Sequence, residues 1–522
     1  MMPAAQSCVS AAGQARPKAT TVRYSHWLAV AVIILVGALW QATHPPSADV
    51  SWLIVVGEKM LAGQHLYKEV LELNPPMSVF LYIPAIWFEH LTGLSAEAWV
   101  LVMTFGLIAA ALVLLAHIMT VAGTADDVPR TVVVASILLA VSPMYVFAER
   151  EHIAVTLLLP ALALAVGRAN EYRPGPILRI TIGLLSGLVV SIKPHFGLAI
   201  LLPYLYLALR LRSWRILFAL ENLIASAFVL IYAAAVFVFF RIYLTDVVPL
   251  LSDTYRVVRF SPWELLRTNL SFQSVLFTMA VTVFILGKDA LKPKTVIPLL
   301  ATVGLLAAFL EQGKGWVYHL YPAFVVAFLL FGGDPLRKAL AEIRSTPRSI
   351  LIVALVAVSF AGASRIVSVM KGRDAFETEL APYVAAHFDH PRLLSLGRSL
   401  GLGHPLTRMV GGVWVGTSAL GIVPEAEAFV DDRPDFSAEV RERVQHWVAW
   451  EREVLAHDLR VGRPDVILLN RESYPYDRLM AGNSEAARYL AHYRVLKSMY
   501  GVDILVPATS PALTVSGATR AD

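Results

Sequence analysis

Ionisable side chains interrupt the long apolar stretches of this chain at four places. The first is the acid Asp49, which opens the segment 43–75, and the others are Glu149–His152, Lys193–His195 and 312–319. Carboxylates can accept a proton from a hydroxyl group, and lysine and arginine bind phosphate oxygens. The residue types are therefore those that a group transfer involving a hydroxyl and a phosphate would need.

Asp49 is the candidate general base. A hydroxyl is a poor nucleophile until a base takes its proton, and a carboxylate near the membrane surface can do so. The alternative is that Asp49 merely caps a helix predicted over 51–62, a role in which aspartate is favoured. Ser51 could provide that cap equally well, and this favours the catalytic interpretation.

Four consecutive ionisable residues, Glu149, Arg150, Glu151 and His152, lie between two apolar segments. Burying them in lipid would cost about 2.5–3.5 kcal/mol per charge, so they should face a cavity or water. We expect Arg150 to bind a phosphate, and Glu151 and His152 to contact substrate. The alternative is a solvated turn whose charges pair with one another.

Lys193 and His195 flank Pro194, which breaks the helix at the same predicted membrane level. Lys193 can bind phosphate as a point charge. It could equally be an interfacial lysine whose ammonium group reaches the lipid headgroups.

The fourth cluster contains Lys314 between two glycines, followed by Tyr318 and His319 at the start of an apolar segment. The glycines allow the backbone to approach a ligand closely, and an ionisable histidine in a membrane span is a functional candidate. It is not a P-loop, because the Gly-Lys-Ser/Thr ending is missing. The alternative is a tight turn with a buried, hydrogen-bonded histidine.

A metal site is not indicated by any spacing of histidines or acids, and no cofactor is predicted, although a divalent metal remains possible. The single cysteine, Cys8, can form neither an intrachain disulfide nor a cysteine-based zinc site.

The composition places these clusters in a membrane protein. Of 522 residues, 57% are hydrophobic and 16% are charged, and the mean hydropathy is +0.61. A soluble domain has about 25% charged residues. About twelve hydrophobic segments are candidate spans: 25–42, 77–91, 96–121, 131–148, 152–168, 177–192, 195–210, 216–241, 271–287, 295–311, 316–332 and 349–368.

The basic residues orient these spans. Lys and Arg cluster in alternate linkers, which should be cytoplasmic, and this places all four ionisable clusters on the outer side. The pI of about 9.1 is thereby explained without nucleic acid. The 43–75 loop and Glu149 can lie on the same side of the membrane only if one of the three hydrophobic segments between them does not cross it. The 77–91 segment, about 22 Å long as a helix, is the weakest, and we predict that it is short or re-entrant.

The remaining boundaries follow from the change of pattern after residue 370. Residues 1–20 are predicted to be a disordered cytoplasmic tail, 21–370 the transmembrane domain, 371–510 a soluble α/β domain and 511–522 a frayed tail. Short buried strands are predicted at Leu393–Leu396, Val466–Leu469 and Ile504–Val506, and an amphipathic helix over Phe436–Leu459.

The 43–75 loop resembles the first external loop of the GT-C glycosyltransferases. Asp49 follows the first span, an amphipathic helix comes next, Gly63 and Tyr67 form a Gly-x-x-x-Tyr turn, and Asn74-Pro-Pro ends the loop. Many relatives carry two adjacent acids here, whereas Val50 follows Asp49. The resemblance implies a membrane bundle with an extracytoplasmic C-terminal domain, and Tyr67, Glu72 and Asn74 become candidate substrate-binding residues.

The resemblance also implies an activity: inverting transfer of a sugar from a polyprenyl-phosphate carrier to a hydroxyl of a glycan or lipid acceptor, with Asp49 as base. The expected location is a bacterial inner membrane, with the C-terminal domain in the periplasm. The alternatives are a transporter or flippase for a lipid-linked or anionic solute, and an inactive relative that only binds lipid carriers or a partner.

Overall fold

The computed structural model of the protein describes residues 25–124, 127–343, 347–371, 379–419, 421–433, 435–482 and 484–510. The predicted tails at 1–20 and 511–522 lie outside these ranges.

The first part of the chain is helical. Its helices are α1 (Ser25–Ala42), α2 (Ala48–Leu61), α3 (Met77–Phe80), α4 (Ile83–Thr92), α5 (Ala96–Val121), α6 (Val128–Ser136), α7 (Arg150–Ala169), α8 (Pro176–Ile192), α9 (Leu198–Arg210), α10 (Leu220–Phe239), α11 (Val248–Leu250), α12 (Pro262–Thr268), α13 (Leu270–Leu286), α14 (Pro293–Gln312), α15 (Val317–Phe331), α16 (Asp334–Ala341) and α17 (Pro347–Met370).

The chain is an integral membrane protein. Within the described residues, six helices are long and apolar enough to cross a bilayer, namely α5, α7, α10, α13, α14 and α17. A seventh span results if α15 and α16, which meet at a 42° bend, are taken together. Helices α1, α6 and α8 are shorter apolar helices. The 77–91 segment is short, as predicted, because it is divided into α3 and α4; its re-entrance stays a prediction.

Helix α7 runs through the middle of the bundle and packs against α5, α8, α9, α14 and α15. Its most apolar stretch is 83% buried within the protein. Arg150 begins the helix and Arg168 lies near its end, about 27 Å away at 1.5 Å per residue. One helix therefore connects two charged regions at opposite ends of the bundle.

The far end of the bundle holds compact ion pairs. Arg168 donates to Glu221 at 2.7 Å, and Arg179 donates to the other carboxylate oxygen at 2.9 Å. Lys294 bridges Asp334 at 2.5 Å and Asp127 at 3.3 Å. Arg168, Arg179 and Lys294, which were expected in cytoplasmic linkers, thus have acidic partners there.

The C-terminal part is a five-stranded sheet covered by helices. The strands are β1 (Arg392–Leu396), β2 (Val413–Trp414), β3 (Val466–Leu469), β4 (Tyr493–Met499) and β5 (Val502–Pro507), in the order β2-β1-β3-β5-β4. The helices are α18 (Ala381–His387), α19 (Leu406–Met409), α20 (Ile422–Asp431), α21 (Ala438–His457), α22 (Tyr476–Ala481) and α23 (Glu485–Leu490).

Strand β1 pairs in parallel with β2 and β3, whereas β5 runs antiparallel to both β3 and β4. The three predicted strands and the predicted long helix are present as β1, β3, β5 and α21. The predicted fold class, a helical membrane bundle followed by an α/β domain, is confirmed.

Arg408 joins the C-terminal domain to the membrane domain. Its guanidinium group contacts Glu58 of α2 and donates from Nη2 to Glu97 of α5 at 3.2 Å. Nearby, Lys59 donates to the carbonyl of Gly416 at 3.2 Å. The C-terminal domain is thereby fixed above the outer loop.

A buried aromatic contact reinforces this joint. The His404 ring lies 5.1 Å from that of Trp52 and 4.6 Å from that of Trp414, measured between ring centroids. Burial, with smaller contributions from Lys59 and Arg408, lowers the pKa of His404 to about 3. The imidazole is therefore neutral at physiological pH and packs as an aromatic ring.

Replacing Arg408 by glutamine should loosen the joint, because Glu58 and Glu97 would lose their shared cation. We expect a loss on the order of 1–2 kcal/mol of folding free energy, since the groups are partly exposed. Thermal unfolding of the detergent-solubilised protein measures it. Arg460→Gln, which removes an exposed ion pair with Glu485, is the matched control and should change the melting temperature little.

Candidate functional site

Asp49 lies in the first turn of α2 but does not cap the helix. Ser47 occupies the capping position and accepts from the amide of Val50 at 3.3 Å. The Asp49 carboxylate is therefore free for another contact, and its Oδ1 accepts from Arg150 Nη2 at 2.7 Å. Neither Asp49 nor Ser51 caps α2, because Ser47 fills that role.

The turn that follows α2 places the next acid. Gly63 has a φ of 94°, which a side chain would strain, and Tyr67 also has a positive φ of 71°. Tyr67 is held by its own contacts: its amide donates to Val70 at 2.7 Å and its hydroxyl donates to the carbonyl of Asn74 at 2.7 Å. Tyr67 thus shapes the loop that carries Glu72 and Asn74.

Glu72 fastens this loop to α2 and to α7. One carboxylate oxygen accepts from the Trp52 indole at 2.6 Å, and the other accepts from the Asn74 amide N–H at 2.9 Å. The second oxygen also lies 3.9 Å from Arg150 Nη1. Both oxygens are occupied, so Glu72 acts mainly as a support for Arg150.

Arg150 is buried between these two acids. Its side chain is only 4% exposed, whereas that of Asp49 is 25% exposed. Among the described residues, nothing accepts a hydrogen bond from Arg150 Nε or Nη1. Arg150 therefore orients Asp49 through one nitrogen.

Burial raises the pKa of Asp49, and the neighbouring carboxylates Glu151 and Glu72 act in the same direction. Arg150 opposes this shift by stabilising the charged form. The carboxylate is therefore more basic than an ordinary aspartate while its partner keeps it oriented. Both properties suit proton abstraction from a hydroxyl.

A second buried pair lies beside the first. Lys193 contacts Glu151 and donates to Gln312 Oε1 at 2.8 Å. His319 Nε2 lies 3.9 Å from Glu151 Oε1. The second, third and fourth sequence clusters therefore meet through Glu151.

A basic group at the outer edge was not selected from the sequence. Arg259 lies 2.9 Å from Glu311 Oε1, Arg256 lies 3.5 Å from the same oxygen, and His195 Nδ1 lies 3.7 Å from Glu311 Oε2. Two arginines thus share one carboxylate at the cavity wall. The Arg-x-x-Arg spacing of Arg256 and Arg259 could have indicated this basic group. It lies in the 242–270 loop, however, and such a loop is more often only a cover over a site.

These groups surround one cavity with a volume of about 1070 Å³. Asp49, Arg150 and Glu149 lie on its wall, together with side chains from the C-terminal domain. The predicted site residues on the wall are Asp49, Glu72, Asn74, Arg150, Lys193, His195, Tyr318 and His319. Ligand cavities for drug-sized molecules are about 300–1000 Å³, so this one is large enough for such a ligand.

Four predicted substrate-binding residues lie off the cavity wall. Tyr67 shapes the loop, and Glu151 lies behind Lys193. Both ring nitrogens of His152 are bonded to the backbone: Nδ1 accepts from Ala148 at 3.0 Å, and Nε2 pairs with the carbonyl of Leu139 at 2.9 Å. His152 therefore holds the turn before α7, and its contact with substrate stays a prediction.

Lys314 is the fourth of these residues. It is 4% exposed, and its Nζ lies 3.7 Å from the centroid of the Tyr255 ring, with no hydrogen-bond partner among the described residues. Burial lowers its pKa to about 8. Tyr255 lines the cavity and Lys314 does not, so Lys314 supports an aromatic residue of the wall, and its contact with substrate stays a prediction.

Among the described residues, no group of three histidine, cysteine, aspartate or glutamate side chains is arranged to hold a metal. Metal independence stays a prediction.

Solved structures resemble this chain, although no family model and no curated sequence does. The crystal structure of ArnT from Cupriavidus metallidurans bound to undecaprenyl phosphate is similar at a TM-score of 0.52, with 13% identity over 92% of this chain and 97% of that one. Its apo structure gives the same score, with 98% of that chain covered.

The chain has the GT-C fold. The predicted resemblance is confirmed at the level of fold, over nearly the whole length of both proteins. An oligosaccharyltransferase from Archaeoglobus fulgidus is more distant, with a TM-score of 0.43, 12% identity, and coverage of 91% of this chain and 73% of that one.

Lys314→Met should stabilise the protein at neutral pH, because it removes a buried ammonium group that lacks a hydrogen-bond partner among the described residues. The folded-state pKa of about 8 lies below that of a lysine in the unfolded chain. The cost is thus complete below pH 8 and disappears as the pH rises toward about 10.4.

Melting temperatures of the two proteins across this pH range provide the measurement. The advantage of Lys314→Met should shrink at high pH. A variant that is less stable than the wild type at pH 7 would contradict the assignment and indicate that the contact with Tyr255 outweighs burial.

Proposed function

We propose that this protein transfers a sugar from a polyprenyl-phosphate carrier to a hydroxyl group of an acceptor, with inversion at the anomeric carbon. One observation carries the proposal: an oriented carboxylate, Asp49, and a row of cations line the same cavity on a chain with the GT-C fold.

Asp49 serves as the general base. The acceptor oxygen forms a bond to the anomeric carbon as its proton passes to the carboxylate, while the bond from that carbon to the phosphate oxygen breaks. Attack from the face opposite the phosphate inverts the configuration. The raised pKa of Asp49 makes it a stronger proton acceptor than an ordinary aspartate, and Arg150 holds its position.

The cations stabilise the leaving group. Lys193, Arg256 and Arg259 lie on the cavity wall, where fixed positive charge favours the negative charge that develops on the departing polyprenyl phosphate. Glu311 is a single carboxylate shared by two arginines, so this part of the wall keeps an excess of positive charge.

The donor class is supported by the similarity to ArnT, whose crystal structure contains undecaprenyl phosphate. We place the protein in a bacterial inner membrane, with the cavity and the C-terminal domain on the periplasmic side. This orientation agrees with the acid-paired basic cluster at the opposite end of α7.

Asp49→Asn should reduce sugar transfer by about 10²–10⁴-fold, the usual contribution of a general base. The measurement is transfer of radiolabelled sugar from polyprenyl phosphate by membranes that contain the variant. Asp246→Asn, which changes an exposed acid in the helical turn directly before α11, is the matched control. If Asp49→Asn transferred sugar at the wild-type rate, Asp49 would not be the general base. Solute uptake without any sugar transfer would indicate a transporter.

The pH dependence provides a second check on the same residue. Because Asp49 must be ionised to accept a proton, the rate should fall as the pH drops through its pKa. The midpoint should lie above that of an ordinary aspartate, because burial raises this pKa.

Arg259→Gln should weaken binding of the donor phosphate. Loss of a hydrogen bond to a charged group costs about 1.5–3 kcal/mol, so the KM for the donor should rise about tenfold or more. Arg267→Gln, an exposed arginine of α12 that lies beside Trp263, is the control. An unchanged KM in Arg259→Gln would contradict the assigned phosphate site.

A further inference from the structure

The cavity wall includes one particular edge of the C-terminal sheet. Strands β1 and β3 are adjacent and parallel, and both end at this edge. Arg398 and Ser399 follow β1, Asn470 and Ser473 follow β3, and all four line the cavity. Ligands of open α/β sheets bind beyond the carboxyl ends of parallel strands, so this edge has the geometry of a binding site.

The two connections are held to each other. The Asn470 amide donates to the carbonyl of Leu396 at 2.9 Å, and the Asn470 side chain accepts from the Ser473 amide at 3.0 Å. Ser473 Oγ in turn accepts from the Arg398 amide at 3.3 Å. The polar groups at this edge therefore have defined positions.

A second cavity of about 380 Å³ adjoins this edge in the C-terminal domain. Arg398 and Ser473 line both cavities, so the two cavities meet at these two residues. We call it the outer groove; besides Arg398 and Ser473, its wall includes Glu427, Asp432, Arg471 and Tyr476.

The charges of the outer groove select among acceptors. Five carboxylates and three guanidinium groups line it. Arg478 is neutralised by Glu427 at 2.9 Å and Asp431 at 3.0 Å, and Arg471 by Asp503 at 2.5 Å and Asp477 at 3.2 Å. The excess of carboxylate repels phosphate groups and accepts hydrogen bonds from hydroxyl groups.

Tyr476 adds an aromatic surface to this wall. The Arg471 guanidinium lies 4.6 Å from the centroid of its ring, which fixes the ring orientation. Carboxylates, Arg398 and a tyrosine ring together can bind a neutral molecule. Its hydroxyl groups would bond to the carboxylates and to Arg398, and its apolar ring face would pack on the tyrosine.

We propose that the acceptor is an uncharged, hydroxyl-rich oligosaccharide. Its terminal sugar lies among Arg398, Asn470 and Ser473, with the attacking hydroxyl directed toward Asp49, and the preceding sugars occupy the outer groove. This assignment rests on the proposed sugar transfer for the direction of the chain, while binding of the oligosaccharide can be measured independently.

The test measures binding of full-length protein in detergent to immobilised neutral oligosaccharides of increasing length and to their phosphorylated counterparts. We expect binding to neutral oligosaccharides, stronger for longer ones. Arg398→Ala and Tyr476→Ala should each weaken it about tenfold or more. Tyr500→Ala, an exposed tyrosine in the turn between β4 and β5, is the matched control and should bind like the wild type.

Two further measurements separate the possible failures. Undecaprenyl phosphate should raise the melting temperatures of the wild type, Arg398→Ala and Tyr476→Ala alike, which would show that both variants are folded. Asp49→Asn should bind oligosaccharides normally, so a loss of transfer without a loss of binding concerns the base alone.

The assignment is overturned if no neutral oligosaccharide binds at millimolar concentrations, if only the phosphorylated ones bind, or if both groove variants bind like the wild type. None of these results would affect the role of Asp49, which is tested by transfer.

Discussion

The buried guanidinium group of Arg150 is the constraint on which the site depends. An arginine that is almost completely withdrawn from water needs carboxylate partners, and leaving it without them would cost several kcal/mol. Asp49 and Glu72 supply them, the first from α2 and the second from the loop that follows. The outer helix and its loop must therefore pack onto the start of α7.

The same requirement explains the role of less obvious residues. Tyr67 and Asn74 hold the loop in the conformation that brings Glu72 to Arg150. Trp52 donates to Glu72 and also packs against His404 of the C-terminal domain. Packing of the soluble domain and orientation of the candidate base are thus connected through one tryptophan.

Much of the fold could be predicted from sequence because its signals are local. The lengths of the apolar segments predicted most of the membrane helices, and short apolar runs predicted β1, β3 and β5. Strand β2 has only two residues, and β4 has no buried residue and interrupts its apolar side chains with Arg494, Lys497 and Ser498, so neither forms a short buried apolar run. The acid Asp49 was recognisable from its place in a loop with a family resemblance.

The composition of the cavity wall was only partly predictable, because it depends on which distant segments meet. His152 and Lys193 look alike in sequence, each an ionisable residue beside a span. One is bonded to the backbone and the other faces the cavity. Arg398 gave no local signal, and the Arg-x-x-Arg spacing that includes Arg259 did not show that its loop reaches the cavity, since both positions follow from the placement of a long loop and of a separate domain.

The membrane domain and the C-terminal domain each supply part of the cavity wall, and the two parts differ in how well they tolerate substitution. Substitutions around Asp49, Arg150 and Glu72 disturb buried charge, so that side is constrained. The connections after β1 and β3 lie at the end of a sheet, where loop residues can vary while the strands that hold them stay in place. Such an arrangement permits descendants to diverge in what they recognise while retaining the same reaction chemistry.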